Sequence, residues 1–457
     1  MRRTLAALSL VVLACGKSNT LTCDEEMRKG DVEALAYSYY LYLDLLPPTF
    51  AGSAYPSAGA VLNALTLTAQ QQGKDRGWSF LMPQAQFIQY FQEAQSVGYG
   101  VSLLTTGAAP SLRVFVKQVF AAPGAESAAD RVGFRRGDEI LAAGPDASSM
   151  TAVAGLTPEE VSTLLSAGGA TGVSKAVQVQ PVDGSAQVVR TMVSAAFGLD
   201  PVPSYQVFGT TGYVQLRSFV SAAEDPLRTA FVFFKSQGVQ SVVVDLRYNG
   251  GGSIDTALVL ADLLGQGLVG KQMFQLQPNG NFAALTASFG SEADGGSFQR
   301  VAFITTSATA SASELVANAL DAYPSVVPIA YVGAETYGKP VGQRVFDLPG
   351  CSTELFLVSY RLINAAGVTD YYGGLPAAPQ NGIPGSYGPL CGAADDLTHA
   401  QDSPDESSTA AAVYFAQNGS CPPAPAAAAR ARAAGGPIDQ LGASARTFAQ
   451  RDMPGTF

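Results

Sequence analysis

Thr309-Ala310-Ser311-Ala312-Ser313-Glu314 and Gly338-Lys339-Pro340-Val341-Gly342-Gln343 bound the stretch that decides the fold. Between them, residues 315–320 read as a short helix and 326–332 as an apolar strand. A serine at a helix start, followed after the next strand by a lone lysine, is an arrangement that supports nucleophilic chemistry without histidine. That matters here, because the chain holds one histidine, His399, in the polar stretch 395–402. No G-x-S-x-G elbow occurs in it.

Serine is a weak nucleophile at neutral pH and needs a base nearby. A lysine serves only when neutral, so its pKa must fall from ~10.4 by several units through burial among apolar groups. At about 1.4 kcal/mol per unit, the pocket must supply roughly 4–5 kcal/mol against the charged form. Lys339 follows the apolar strand and sits among Tyr337, Gly338, Pro340 and Val341, with Glu335 the nearest acidic neighbour in sequence. Gln343, four residues on, can accept from the amine and orient it.

Ser311-x-x-Glu314 also fits a helix capping box, in which Ser311 is simply an N-cap. The two readings are compatible, since a helix start presents free N–H groups to a developing oxyanion. A second donor fits the glycine-rich turn Asp245-Leu246-Arg247-Tyr248-Asn249-Gly250-Gly251-Gly252, which follows a β-branched run and precedes a helix. As a phosphate cradle this turn lacks the Lys-Ser/Thr of a P-loop. The stretch 333–339 does satisfy G-x-x-x-x-G-K, but Pro340 follows where a Mg²⁺-binding hydroxyl is required, and 341–345 reads as strand.

Outward from this stretch the pattern is α/β. Strands are expected at 212–219, 241–246, 301–305 and 357–364, and helices at 222–237, 254–264 and 407–417. Residues 275–300 and 367–400 read as loops, and the Ala/Pro-rich chain from 422 as a disordered tail. Upstream, 24–95 reads as mainly helical, with helices at 33–46, 60–72 and 83–96. Trp78, the only tryptophan, reads as core packing. From 97 to 197 the texture changes to short strands at 100–105, 112–119, 138–142, 176–181 and 186–194, with glycine turns between them. One helix stands among these strands, announced by Thr157-Pro158-Glu159-Glu160 as cap, N1 proline and capping-box glutamate.

A chain of 457 residues accommodates two or three domains. With 47% hydrophobic and 14% charged residues and a net charge of −10, the composition is globular and disfavours a nucleic-acid partner. At the N-terminus, Arg2-Arg3 precedes an apolar run over 5–13 too short to remain as a membrane span. It ends Val12-Leu13-Ala14-Cys15-Gly16, which resembles a bacterial lipoprotein signal with Cys15 acylated; an ordinary cleaved signal peptide is the alternative. Cys23, Cys351, Cys391 and Cys421 form no C-x-x-C, which makes zinc and redox roles poor readings. An exported chain permits disulfides. Of the three possible pairings we expect Cys351–Cys391 and Cys23–Cys421. No metal or organic cofactor is implied.

Two resemblances follow. Gly98-Tyr99-Gly100-Val101, then Ala128 through Gly133-Phe134-Arg135-Arg136-Gly137-Asp138-Glu139-Ile140-Leu141, then the capped helix, resemble a PDZ domain. That resemblance implies that the backbone of Tyr99, Gly100 and Val101 holds a peptide C-terminal carboxylate. Asp245-Leu246-Arg247-x-Asn249-x-Gly251-Gly252, Ser311-Ala312-Ser313-Glu314 and Gly338-Lys339 resemble, in order, the motifs of the carboxyl-terminal processing (tail-specific) peptidases, with similarity over about residues 25–390. It implies Ser311 as nucleophile, Lys339 as general base, Gln343 as its orienting residue, and Ala312 N–H with Gly251 or Gly252 N–H as oxyanion hole. The Ser311–Lys339 interval is a few residues longer than in well-known members, through Tyr323-Pro324-Ser325, and Asp321 only loosely matches the acidic residue usual after the helix.

The expected architecture is α/β multi-domain. Residues 1–15 are a lipoprotein signal peptide, 16–96 a helical region, 97–197 a PDZ-like β-rich domain, 198–392 a β/α spiral (crotonase-like) peptidase core, and 393–457 a final helix and tail. The expected function is a lipid-anchored Ser/Lys serine endopeptidase on the periplasmic face of a bacterial cell envelope. It would cleave unfolded or tagged exported proteins near C-termini captured by the PDZ-like domain. The alternative is a non-catalytic binding lipoprotein of the same fold that holds an apolar ligand or peptide.

Overall fold

The computed structural model describes residues 23–348 and 350–423. The signal-like start with Cys15, and the tail beyond 423, lie outside the described residues. The architecture is mixed α/β.

Its centre is a six-stranded sheet in the order Tyr205–Phe208, Thr211–Gln215, Ser241–Asp245, Val301–Thr305, Ile329–Gly333, Leu390–Gly392, parallel except for the first pairing. Its inner strands are buried on both faces, which is why they read as continuous apolar runs. Alternate residues divide between two cores. Val242, Val244 and Phe303 face the helices Glu224–Ser236, Ile254–Leu264 and Ala312–Asp321. Val243, Ala302 and Ile304 face the helix Ser407–Asn418 on the opposite side.

A five-stranded antiparallel sheet is built around the long strand Thr353–Asn364, which pairs with Phe80–Pro83, Val341–Leu348 and Gln272–Pro278. The helices Glu25–Tyr39 and Ala58–Gln71 pack on this sheet with Trp78. A third unit has its own core of residues such as Tyr99, Val114, Ile140, Val161 and Val177. It holds the sheet Val188–Val193, Ser174–Gln180, Glu139–Gly144, Arg113–Val119, Val101–Thr106 and the helix Pro158–Leu165, whose capping box forms as expected.

Several expectations need correction. The first helix spans Glu25–Tyr39, not 33–46: Asp24 caps it by accepting from Met27 N–H, and beyond Tyr39 the chain leaves the helix as Leu41 N–H donates to Val358 C=O. Tertiary pairing there overrides the helical spacing. The expected helix at 83–96 is only one turn of α-helix, Gln84–Phe87, and a π-turn, Ile88–Gln92; the chain then becomes a strand, Gln95–Gly98, paired with Ala195–Gly198. Within the expected loop 275–300, Gln272–Pro278 and Leu285–Ser288 form a hairpin whose alternation the Gly, Asn and Ser residues concealed.

The disulfides are Cys23–Cys351 and Cys391–Cys421, with Cα atoms 4.7 and 5.1 Å apart, and not the expected pairs. The reason is layering. Cys23 precedes the helix that packs on the antiparallel sheet, at the turn carrying Cys351. Cys391 and Cys421 both belong to the opposite face, against the Ser407–Asn418 helix. Among the described residues, no helix is long and apolar enough to cross a membrane.

Non-reducing peptide mapping is expected to recover the Cys23–Cys351 and Cys391–Cys421 pairs. Converting Cys391 and Cys421 together to serine is expected to lower the unfolding free energy by roughly 3 kcal/mol, read by urea titration.

Candidate active site

The parallel register places the C-terminal ends of Ser241–Asp245 and Val301–Thr305 side by side, with Asp245 opposite Ile304. Loops leaving such strand ends are where open α/β sheets build their sites. From the first strand comes the glycine turn, and from the second the loop that ends at Ser311.

Asn249 ties these two loops together. It is fully buried, and its C=O accepts from Ala310 N–H at 3.0 Å and Ser313 Oγ–H at 2.9 Å. Its side-chain Oδ1 accepts from Gly251 N–H at 2.9 Å, and its Nδ2 donates to Leu216 C=O at 2.8 Å. Gly251 has φ +107°, and a Cβ there would lie 2.7 Å from Ser311 Cβ and 2.8 Å from Ala312 N, so only glycine fits. Gly251 N–H is already taken by Asn249, whereas Ala312, the first residue of the helix, carries one of the N–H groups that a helix start leaves without an intrahelical partner.

Ser311 itself has φ +58° and ψ −115°, a conformation that L-residues rarely adopt. What holds it is Glu314. That carboxylate is wholly buried and accepts four donors. Ser311 N–H and Lys339 N–H both reach Oε2 at 2.9 Å, while Gly338 N–H reaches Oε1 at 2.7 Å and Thr336 Oγ1–H also donates to Oε1. Sharing one oxygen, the backbone nitrogens of Ser311 and Lys339 lie within twice that distance of each other. Burial pushes the Glu314 carboxyl above the usual glutamate range, against the lowering effect of its four donors. The sequence pattern had given Glu314 only a capping role; its bonds to 336–339 were invisible there.

Lys339 is 1% exposed. Its Nζ donates to Gln343 Oε1 at 2.7 Å and stands 5.8 Å from the centre of the Trp78 ring. Gln343 Nε2 donates to Trp78 C=O at 2.7 Å, which fixes the amide with its oxygen toward the lysine. Trp78 is in turn held by Asp75, whose buried carboxylate accepts from Trp78 N–H at 2.7 Å, Ser79 Oγ–H at 2.7 Å and Tyr40 O–H at 3.0 Å. Trp78 is therefore more than core packing, a role that no local pattern announces.

Asp321 lies elsewhere. At the far end of the same helix it accepts from Tyr387 and Gly388 N–H, and the added residues Tyr323-Pro324-Ser325 follow it there. His399 is 44% exposed and pairs with Asp396. Among the described residues, no group of His, Cys, Asp and Glu is arranged to hold a metal ion. In the β-rich unit, Tyr99 and Gly100 form the turn into the edge strand Val101–Thr106. Gly100 has φ +71°, and its C=O accepts from Phe120 N–H and Ser127 Oγ–H.

The central sheet with its serine, lysine and glycine turn has known relatives. Residues 210–369 match peptidase family S41. The matched residues include Gly251, Gly252, Ser311, Lys339 and Gln343. The chain is 28% identical over 278 residues to carboxyl-terminal-processing peptidase 1, chloroplastic, of Arabidopsis thaliana, covering 55% of this chain and 51% of that protein. It is 24% identical over 228 residues to a probable CtpA-like serine protease of Staphylococcus saprophyticus, covering 46% and 44% respectively. The chain thus spans about half the length of the curated relatives it matches. Among solved structures, a putative S41 protease from Bacteroides fragilis shares the fold, with a TM-score of 0.61 and 21% identity over 85% of this chain and 97% of that one. The chain is thus similar to carboxyl-terminal processing peptidases, which its motifs resemble.

Glu314→Ala is expected to lower the unfolding free energy by about 3 kcal/mol or more, because it leaves several buried donors without an acceptor. Chemical denaturation measures this, and Glu314→Gln should recover part of the loss.

Proposed function

We propose that the chain is a serine endopeptidase that uses a Ser311/Lys339 dyad to cleave unfolded or tagged exported proteins near their C-termini. The observation that carries the reading is the Glu314 carboxylate, which draws the backbones of Ser311 and Lys339 onto one oxygen while Gln343 holds the amine. Relatives that are carboxyl-terminal processing peptidases and CtpA-like serine proteases support it. The binding-only alternative finds no such support.

In this reading Lys339 Nζ, acting in its neutral form, takes the proton of Ser311 Oγ as the oxygen attacks the scissile carbonyl. Charge developing on the carbonyl oxygen is met by Ala312 N–H at the helix start and by Gly252 N–H. Collapse of the tetrahedral adduct breaks the C–N bond, and Lys339 returns the proton to the leaving amine. A water, deprotonated by the same lysine, then hydrolyses the acyl-enzyme and regenerates Ser311. Gln343 keeps the amine aimed throughout.

The remaining assignments belong to the same proposal. The β-rich unit acts as a PDZ-like module whose Tyr99, Gly100 and Val101 backbone receives the substrate's C-terminal carboxylate, and the core is of β/α spiral, crotonase-like type. The chain is exported to the bacterial cell envelope and anchored through acylated Cys15.

The test is hydrolysis of an unstructured protein by the purified chain. Ser311→Ala and Lys339→Ala are each expected to lower kcat by at least about 10³-fold, and Gln343→Ala by about 10²-fold. Undiminished cleavage in both of the first two variants would sink the assignment.

A further inference from the structure

Arg217 stands apart from the machinery just described. It follows the strand Thr211–Gln215, where its N–H donates to Pro201 C=O at 2.8 Å. Its guanidinium Nε and Nη1 are buried and hydrogen-bond to nothing among the described residues. The residue as a whole keeps partial exposure. Burial pulls its pKa below the usual arginine value, and Asp200 attracts it only at longer range, without an ion pair. A guanidinium held out of water and unpaired is costly, and such groups normally find a carboxylate.

Its position suggests which carboxylate. The guanidinium lies over the Phe120 ring, 5.2 Å from its centre, and Phe120 N–H donates to Gly100 C=O at 3.0 Å. The Tyr99–Val101 turn is therefore its neighbour on one side. On the other side, two residues along, Phe219 N–H donates to Gly251 C=O at 2.9 Å, and a Cβ on Gly252 would come within 2.2 Å of Phe219 C=O. Arg217 thus occupies the junction between the turn of the β-rich unit and the glycine turn beside Ser311. The planar fork, stacked on an aromatic face, suits two-point recognition of a carboxylate.

We propose that Arg217 is a specificity residue that recognises a carboxylate of the substrate peptide, either its α-carboxylate or an Asp or Glu side chain, between the Tyr99–Val101 turn and the Gly251–Gly252 turn. The inference rests on the peptidase reading for its substrate class, and its test needs no turnover. The full chain carrying Ser311→Ala, with and without Arg217→Met, is titrated against three fluorescein-labelled peptides, read by anisotropy. One has neutral side chains and a free C-terminus, the second is its C-terminal amide, and the third is that amide with one internal Glu.

Binding of a carboxylate-bearing peptide at least about 10-fold tighter than the neutral amide is expected, as hydrogen bonds to a charged group warrant. Arg217→Met should reduce that preference to within about twofold, and Arg217→Lys should retain part of it. Loss for the first peptide identifies the α-carboxylate, and loss for the third a side chain. No carboxylate preference with Arg217 present, no binding of any peptide, or equal weakening of all three in the variant overturns the proposal. Should Arg217→Met fail to fold, judged by circular dichroism, Arg217→Gln takes its place in the same comparison. Carboxylate preference without hydrolysis by the chain bearing Ser311 would sink the peptidase reading alone; hydrolysis without the preference would sink the Arg217 assignment alone.

Discussion

The geometry of the site depends on one buried carboxylate. Four N–H and O–H donors, three of them from the loop 336–339, fill the lone pairs of Glu314. A carboxylate taken out of water is tolerated only when its lone pairs are filled, so the helix start and the loop bearing Lys339 cannot drift apart without leaving a costly vacancy on either side. The same constraint accounts for Ser311 keeping a backbone conformation that alone would be unfavourable.

Two further shells hold this arrangement from outside. On one flank Asp75 fixes Trp78, whose carbonyl fixes Gln343, whose amide oxygen meets Lys339. On the other, Arg247 is sealed between Asp245, at 2.6 Å, and Glu406, at 2.8 Å. Burial alone would weaken the Arg247 charge, but those carboxylates more than offset it and hold its pKa well above the usual arginine value. The ion cluster fastens the segment around Asp395 and Glu406 beneath the glycine turn. Arg136, from the β-rich unit, donates to Tyr248 O–H at 2.9 Å and pairs with the same Asp395. The β-rich unit therefore touches the turn that lies against Ser311.

Much of this fold was legible in the sequence wherever a signal was local. The buried strand Val301–Thr305 and the helix Ile254–Leu264 stand where their apolar runs put them, because continuous β-branched runs and helical spacing carry their own evidence. The serine, lysine and glutamine of the proposed site stood out in order for the same reason. What escaped was long-range. Glu314 could be read as a cap but not as an acceptor for a loop some twenty-five residues on, and Trp78 could be read as apolar but not as the owner of a carbonyl that aims Gln343. Cysteine pairing failed likewise, since it follows which layer each cysteine joins and not its distance along the chain. At Leu41 and across Gln272–Ser288, pairing with the long strand Thr353–Asn364 or its neighbour decided the structure over local preference.

The hydrogen bond from Gln343 to the Trp78 carbonyl carries a consequence for how the molecule divides. The S41 match runs over residues 210–369, yet Trp78 and Asp75 precede that segment, and Asp395 and Glu406 follow it. An excised fragment with those limits would contain every residue of the proposed dyad and oxyanion hole but neither of the supports that aim the lysine and brace the glycine turn. The smallest unit able to hold the site in order thus reaches from about Asp75 to Glu406, and the site is complete only once the segments on either side of the matched region have closed around it.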